Sequence, residues 1–170
     1  MRTIEVKILT FNELSEQAKE NARNWWRDKG LDYDWWEFTF EDAERIGIKI
    51  TSFDLYPNEI NGKIILSAAE IAQNIFNQHG ESCDTYKTAA NFMEEWQPIF
   101  NKYMDNSGAN YESSMLEGAL MELEEEFVSS LLEDYLTMLN KEYEFMLSDE
   151  YVDEAIIINE YEFYEDGSIA

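Results

Sequence analysis

Apolar positions recur along the chain with two different periods, and the changes of period mark where strands give way to helices. Thr3 to Leu9 alternates, with Ile4, Val6 and Ile8 on one face, and predicts a strand. Leu14, Ala18, Ala22 and Trp25 then recur at spacings of four, four and three, which is one face of a helix. Ser15 stands where an N-cap belongs, Glu16 falls in the first turn and Gly30 stands just past the last one. A second helix, about Asp34 to Arg45, carries Trp35, Trp36, Phe38 and Ala43, and Gly47 closes it. Ile48 to Leu55 alternates loosely through Ile48, Ile50 and Phe53. Pro57-Asn-Glu-Ile-Asn-Gly62 is turn chemistry, and Lys63 to Leu66 answers it, which predicts a hairpin.

Ser67-Ala-Ala-Glu70 fits a capping box opening a helix to about His79, with Gly80 beyond it. Asp84 starts another helix through Ala89, Phe92 and Trp96, with Pro98 as its end or a kink. Asp105 to Asn110 reads as a loop. The longest helical stretch comes next, Glu112 to Leu147, without proline. Its apolar seam is Leu116, Leu120, Leu123, Phe127, Leu131, Tyr135, Leu139, Tyr143 and Met146, at a mean spacing of about 3.75 residues. A spacing above 3.6 makes the seam wander round a straight helix. The stretch therefore either breaks near Val128-Ser129-Ser130 or curves round the core, and its 36 residues, far beyond the usual helix length, favour the break into two helices. Ser148 caps a short helix to about Ile157, Ile158 to Tyr164 reads as a last strand, and Asp166-Gly167 as a turn. The sum is α+β: about four strands in one antiparallel sheet packed with five to seven helices, including the long acidic helical stretch. With no Pro/Gly/Ser linker, residues 1–170 read as a single acidic domain.

Charge changes this picture more than composition does. The chain has 170 residues, 37 acidic against 12 basic, for a formal net charge of −25. Aromatics make up 15%, too many for a disordered acidic tail, so the chain can bury a core. Residues 101–170 hold only Lys102 and Lys141 against 19 acidic residues. Such a surface repels polyanions, which argues against direct binding to nucleic acid or to an anionic membrane. No apolar run reaches the roughly 20 residues of a membrane helix. MRTIEVKILTF has no small-residue cleavage site and does not read as a signal peptide. A reducing, cytoplasmic location is the expectation.

Phe11-Asn-Glu-Leu-Ser-Glu-Gln-Ala-Lys-Glu-Asn-Ala22, with Trp25-Trp26 after it, resembles a group of small acidic phage and prophage proteins. Their N-termini read F-x-E-L-S-x-x-A-K-x-x-A before an aromatic pair. Phe11, Glu13, Leu14, Ser15, Ala18, Lys19 and Ala22 are the matching positions. Trp36 with Glu41-Asp-Ala43 and Gly47, and Asn159 to Phe163 with Glu165-Asp-Gly167, resemble the same group. Its members are mostly uncharacterised, some carrying an antitoxin label. The resemblance implies a phage-linked accessory protein of the bacterial host cytoplasm; the motif residues themselves read as a cap, a helix face and a turn.

Chemistry of other kinds is weak in the sequence. Cys83 is the sole cysteine, so no intrachain disulfide or Cys-based zinc site forms. The sole histidine, His79, is in no Glu-x-x-His pair, and Asp105-Asn-Ser-Gly lacks the glycine and glutamate a calcium loop needs later. His79-Gly-Glu-Ser-Cys83 gathers nucleophile and base types, yet a helix end with a loop and a cap after it explains it as well. Neither a metal nor a cofactor is expected, nor an enzyme.

The acidic stretch is the candidate site. Carboxylates at i and i+4 of a helix lie about 6 Å apart, and phosphates along a strand repeat every few ångströms, so a rigid acidic helix can imitate nucleic-acid charge. The partner-binding candidates are Glu122, Glu125, Glu126, Glu133, Asp134, Glu142, Glu144, Asp149, Glu150, Asp153 and Glu154. The expected partner is a basic, nucleic-acid-handling host protein or nuclease complex, as for an anti-CRISPR or anti-restriction inhibitor. The alternative is an antitoxin-like neutraliser of a small basic toxin. Trp26, Trp35 and Trp36 form an alternative interface, because adjacent tryptophans cannot both face one core. Arg23, Arg27 and Lys29 nearby pair either with the chain's own acids or with an acidic copy in a homodimer.

Overall fold

The computed structural model describes residues 6–31, 33–106 and 111–170. Among the described residues six α-helices and four strands order as β1 (Ile8–Thr10), α1 (Glu16–Lys29), α2 (Glu37–Ile46), β2 (Ile48–Leu55), β3 (Asn58–Ile64), α3 (Ala68–Gln78), α4 (Asp84–Asp105), α5 (Tyr111–Met146), α6 (Asp149–Ile158) and β4 (Glu162–Tyr164), with a single 3-10 turn, Phe11–Glu13, between β1 and α1. The class is α+β, as the periods predict. The four strands do not form one sheet: β1 pairs with β4 and β2 with β3, both antiparallel. The chain divides into two compact units, Met1–Trp35 with Lys141–Ala170, and Trp36–Asn140.

In the first unit β1 and β4 are three residues each, so each offers one inward position. Leu9 faces Phe163 there, and both are buried. The alternation alone puts Ile4, Val6 and Ile8 inward. Instead Val6 and Ile8 are exposed, and residue 4 lies outside the described residues. Residues further along the chain set the phase, since Leu9, Phe11 and Leu14 enter one core with Ala18, Ala22, Trp26, Val152 and Ile156. Ser15 Oγ accepts the Ala18 N–H, and Ser148 Oγ that of Tyr151, so α1 and α6 start at their capping serines. On α1 the buried tryptophan is Trp26; Trp25 is half-buried, edge-on to Tyr161 and Phe163. Gly167 closes the last turn at φ +84°, where a Cβ would stand 2.0 Å from the Ala18 carbonyl oxygen. The expected strand from Ile158 starts only at Glu162. Residue 158 still belongs to α6, and the Asn159 side chain donates to the Ala155 carbonyl to end that helix.

In the second unit α2 begins at Glu37, after Trp35 and Trp36, and Gly47 ends it at φ +111°. The β2–β3 turn is only Tyr56-Pro57. Asn58 to Gly62, expected as turn, is strand paired with Leu55 back to Ile50 around a bulge at Thr51. Ser67 and Glu70 form the reciprocal capping box of α3. Helix α4 runs through Pro98 to Asp105. A proline costs a helix roughly 3 kcal/mol, and packing on both sides offsets it: Phe92 stacks on Phe127 at 4.1 Å, Phe100 on Trp96 at 4.3 Å. The expected break in α5 does not occur. Leu120, Phe127, Leu131 and Tyr135 join Ile46, Ile48, Ile71, Ile75 and Ala89 in this unit's core, while Tyr143 and Met146 belong to the first unit. At 100° per residue the buried line turns about 100° round the helix from Leu120 to Leu139, which is the wander that the seam's spacing predicts.

Candidate functional site

The side of α5 opposite the seam carries the exposed row Glu122, Glu126 and Glu133, with Glu125 beside it. From Tyr111 to Asn140 the helix holds eight carboxylates and no Lys or Arg. Glu122, Glu125, Glu126 and Glu133 are all exposed. At 100° per residue Glu122, Glu126 and Glu133 fall within about 40° of one another, over about 17 Å of axis, with Glu125 beside them. Among the described residues none of these four takes part in an ion pair. Leu, Met and Glu favour helix here, and with no proline the row rides on one uninterrupted element.

The other predicted carboxylates divide by environment. Asp134 is half-buried, and its Oδ2 accepts the Thr88 hydroxyl at 2.7 Å. Burial pushes this carboxyl above its usual range although Thr88 pulls it back. Glu142 is half-buried; Glu144, Glu150 and Glu154 are exposed. Asp153 accepts from both Arg23 Nε and Nη2, at 2.7 and 2.8 Å, and Asp149 is paired with Arg27. Arg23 is only 14% exposed, and the Asp153 carboxylate holds its guanidinium proton above the ordinary range. Both arginines thus pair with the chain's own acids, and Asp149 and Asp153 tie α6 to α1. Glu142 through Glu154 belong to the first unit, while the α5 row lies in the second. Glu124, left out of the sequence-predicted set, is half-buried and accepts the Trp96 indole N–H at 2.9 Å.

The tryptophans do not form an exposed patch. Trp26 and Trp35 are buried, at 5% and 8% exposure. Trp36 is half-buried, edge-on to Phe53. The sequence expectation fails for Trp26 because the buried face of α1 advances by fours, Ala18 to Ala22 to Trp26, rather than shifting to Trp25.

A polar network that the sequence does not announce lies in the second unit. His79 Nδ1 is 2.7 Å from Thr85 Oγ1, and Nε2 is 3.3 Å from Asp42 Oδ2, off the line of an aligned hydrogen bond. Tyr135, fully buried, donates to the same Oδ2 at 3.0 Å, and Arg45 donates to Oδ1 at 2.8 Å. The imidazole, the Tyr135 hydroxyl and Arg45 hold the Asp42 carboxyl below its usual range against its partial burial. Burial, with Asp42 alongside, pushes the Tyr135 hydroxyl up. Carboxylate, imidazole and hydroxyl run in series here. Thr85 is 4% exposed and the imidazole 7%, while the Asp42 side chain is 25% exposed, so the series leads from a partly exposed carboxylate inward and joins α2, α4 and α5. Asp42 and His79 stand 37 positions apart, and no local pattern links them. Ser82 and Cys83 are exposed, and Cys83 precedes α4 as its N-cap residue.

Among the described residues there is no group of His, Cys, Asp and Glu that could hold a metal ion, and no helix long and apolar enough to cross a membrane. Comparison with protein-family models, curated proteins and solved structures gives no match.

Proposed function

We propose that the protein is a non-catalytic, cytoplasmic inhibitor of the phage type that binds a basic, nucleic-acid-handling host protein and occludes its phosphate-binding groove by charge mimicry. One observation carries the reading: Glu122, Glu125, Glu126 and Glu133 are exposed and free of ion pairs among the described residues, on a helix run without a single cation. Like charges on adjacent turns weaken a helix by tenths of a kcal/mol each, so the row works against stability and is explained by a partner. A basic groove recovers that repulsion on binding and is found quickly through the long-range field. The resemblance of the Phe11–Ala22 motif to phage and prophage proteins agrees with this role.

Affinity capture from a bacterial lysate tests it, with the wild-type chain and the E122K/E125K/E126K/E133K variant as baits. The reading expects a nucleic-acid-binding protein held by the wild type alone, released by added duplex DNA and by high salt. Capture that is equal on both baits, or that DNA does not compete, overturns it. A small toxin captured instead supports neutralisation.

A further inference from the structure

Beside the acidic row the second unit exposes apolar side chains. Ile64, at the end of β3, is 45% exposed and Met121 of α5 is 57% exposed. With Val128 they floor an open groove of about 450 Å³, walled by Lys63 on the β3 side and by Glu124 and Glu125 on the α5 side. The Trp96 indole fixes Glu124, so that wall stands before any partner arrives. Ile65 continues the exposed apolar run beyond β3. Single exposed apolar residues are ordinary. Here an adaptable methionine and a branched aliphatic share one groove with a carboxylate wall, which is the chemistry that receives basic amphipathic helices.

We propose that the groove between β3 and α5 docks an amphipathic helix of the basic partner. The partner's apolar anchor enters between Ile64 and Met121, and its Lys or Arg residues fall on the α5 side, against Glu124 and Glu125. The asymmetry of the walls sets that orientation, because Lys63 repels cations from the other side. This rests on the basic-partner reading and adds to it an apolar anchor, a site separate from the tryptophans that the sequence suggested.

Two synthetic peptides test it by titration calorimetry: a Leu/Lys helix of roughly 18 residues with leucine on one face, and its scrambled isomer with no apolar face. Charge alone binds both equally. An anchoring groove binds the amphipathic peptide at least about tenfold tighter. In I64T/M121Q, which changes no charge, that preference falls below about threefold while the scrambled peptide binds as before. Equal affinities on the wild type, or a preference that survives in the folded variant, overturn the groove and leave the charge reading standing. Binding of neither peptide overturns both. Should circular dichroism show the double variant unfolded, M121Q alone, on an exposed helical position, carries the same comparison.

Discussion

Replacing Asp42 by alanine and by asparagine separates what its carboxylate does as an acceptor from what it does as a charge. The Tyr135 hydroxyl is fully buried and donates to Asp42 Oδ2 at 3.0 Å. Alanine leaves that hydroxyl without its acceptor and removes the anion beside the His79 imidazole. An abandoned buried donor costs about 1–3 kcal/mol, and the loss at His79 adds to it, so D42A should destabilise by about 2–4 kcal/mol. For a chain of this size that lowers the melting temperature by roughly 10 °C. Asparagine keeps an oxygen for Tyr135 and should cost less than half as much, about 1 kcal/mol. The charge component then shows in its pH dependence. The folded carboxyl titrates below its unfolded value, so its stabilisation is fully present above the unfolded range near pH 4 and is lost as pH falls through the folded value. The gap between wild type and D42N should accordingly close as the pH drops below about 4. Urea unfolding at several pH values, monitored by circular dichroism, measures this. A D42A protein as stable as wild type, or a wild-type–D42N gap that persists undiminished below about pH 4, would refute the network's role.

Further expectations bear on the fold and the charge. G167A should destabilise by at least about 2 kcal/mol, since φ is +84° and the new Cβ meets the Ala18 carbonyl, whereas G118A, open to space in mid-helix, should stabilise by about 0.5–1 kcal/mol; equal effects in urea melts would contradict both. W26A should lose about 3–5 kcal/mol as a core truncation, and a variant that melts like wild type would return this residue to the surface. With a formal charge of −25, the melting temperature should rise between about 50 and about 500 mM NaCl as self-repulsion is screened; a flat or falling curve would show the charges to be compensated.

What could be read from the sequence is what local chemistry decides. Ser15, Ser148 and the Ser67–Glu70 pair start helices because capping involves residues three apart, and Gly30 and Gly47 end them. The α5 seam and the exposure of Glu122, Glu125, Glu126 and Glu133 come from helical period alone. What resisted reading depends on partners far along the chain. Leu9 faces inward because Phe163, 154 positions later, is opposite it. Within the acidic set Asp149 pairs with Arg27 and Asp153 with Arg23, which no local spacing signals. Asn58 to Gly62 carries turn residues yet pairs as strand, because the turn itself needs only Tyr56-Pro57. Helix α5 passes the expected break at Val128–Ser130 because its turning seam packs along its length, whereas average helix length favours two pieces.

Displacement of nucleic acid tests the central claim most directly. The protein captured from lysate is loaded with a fluorescent DNA duplex, and the acidic chain is titrated in while anisotropy is recorded at several salt concentrations. Charge mimicry predicts full, competitive release by the wild type, weakening steeply with salt, and no release by folded E122K/E125K/E126K/E133K. A ternary complex that keeps its DNA, or release by the quadruple variant equal to that by wild type, would contradict the account.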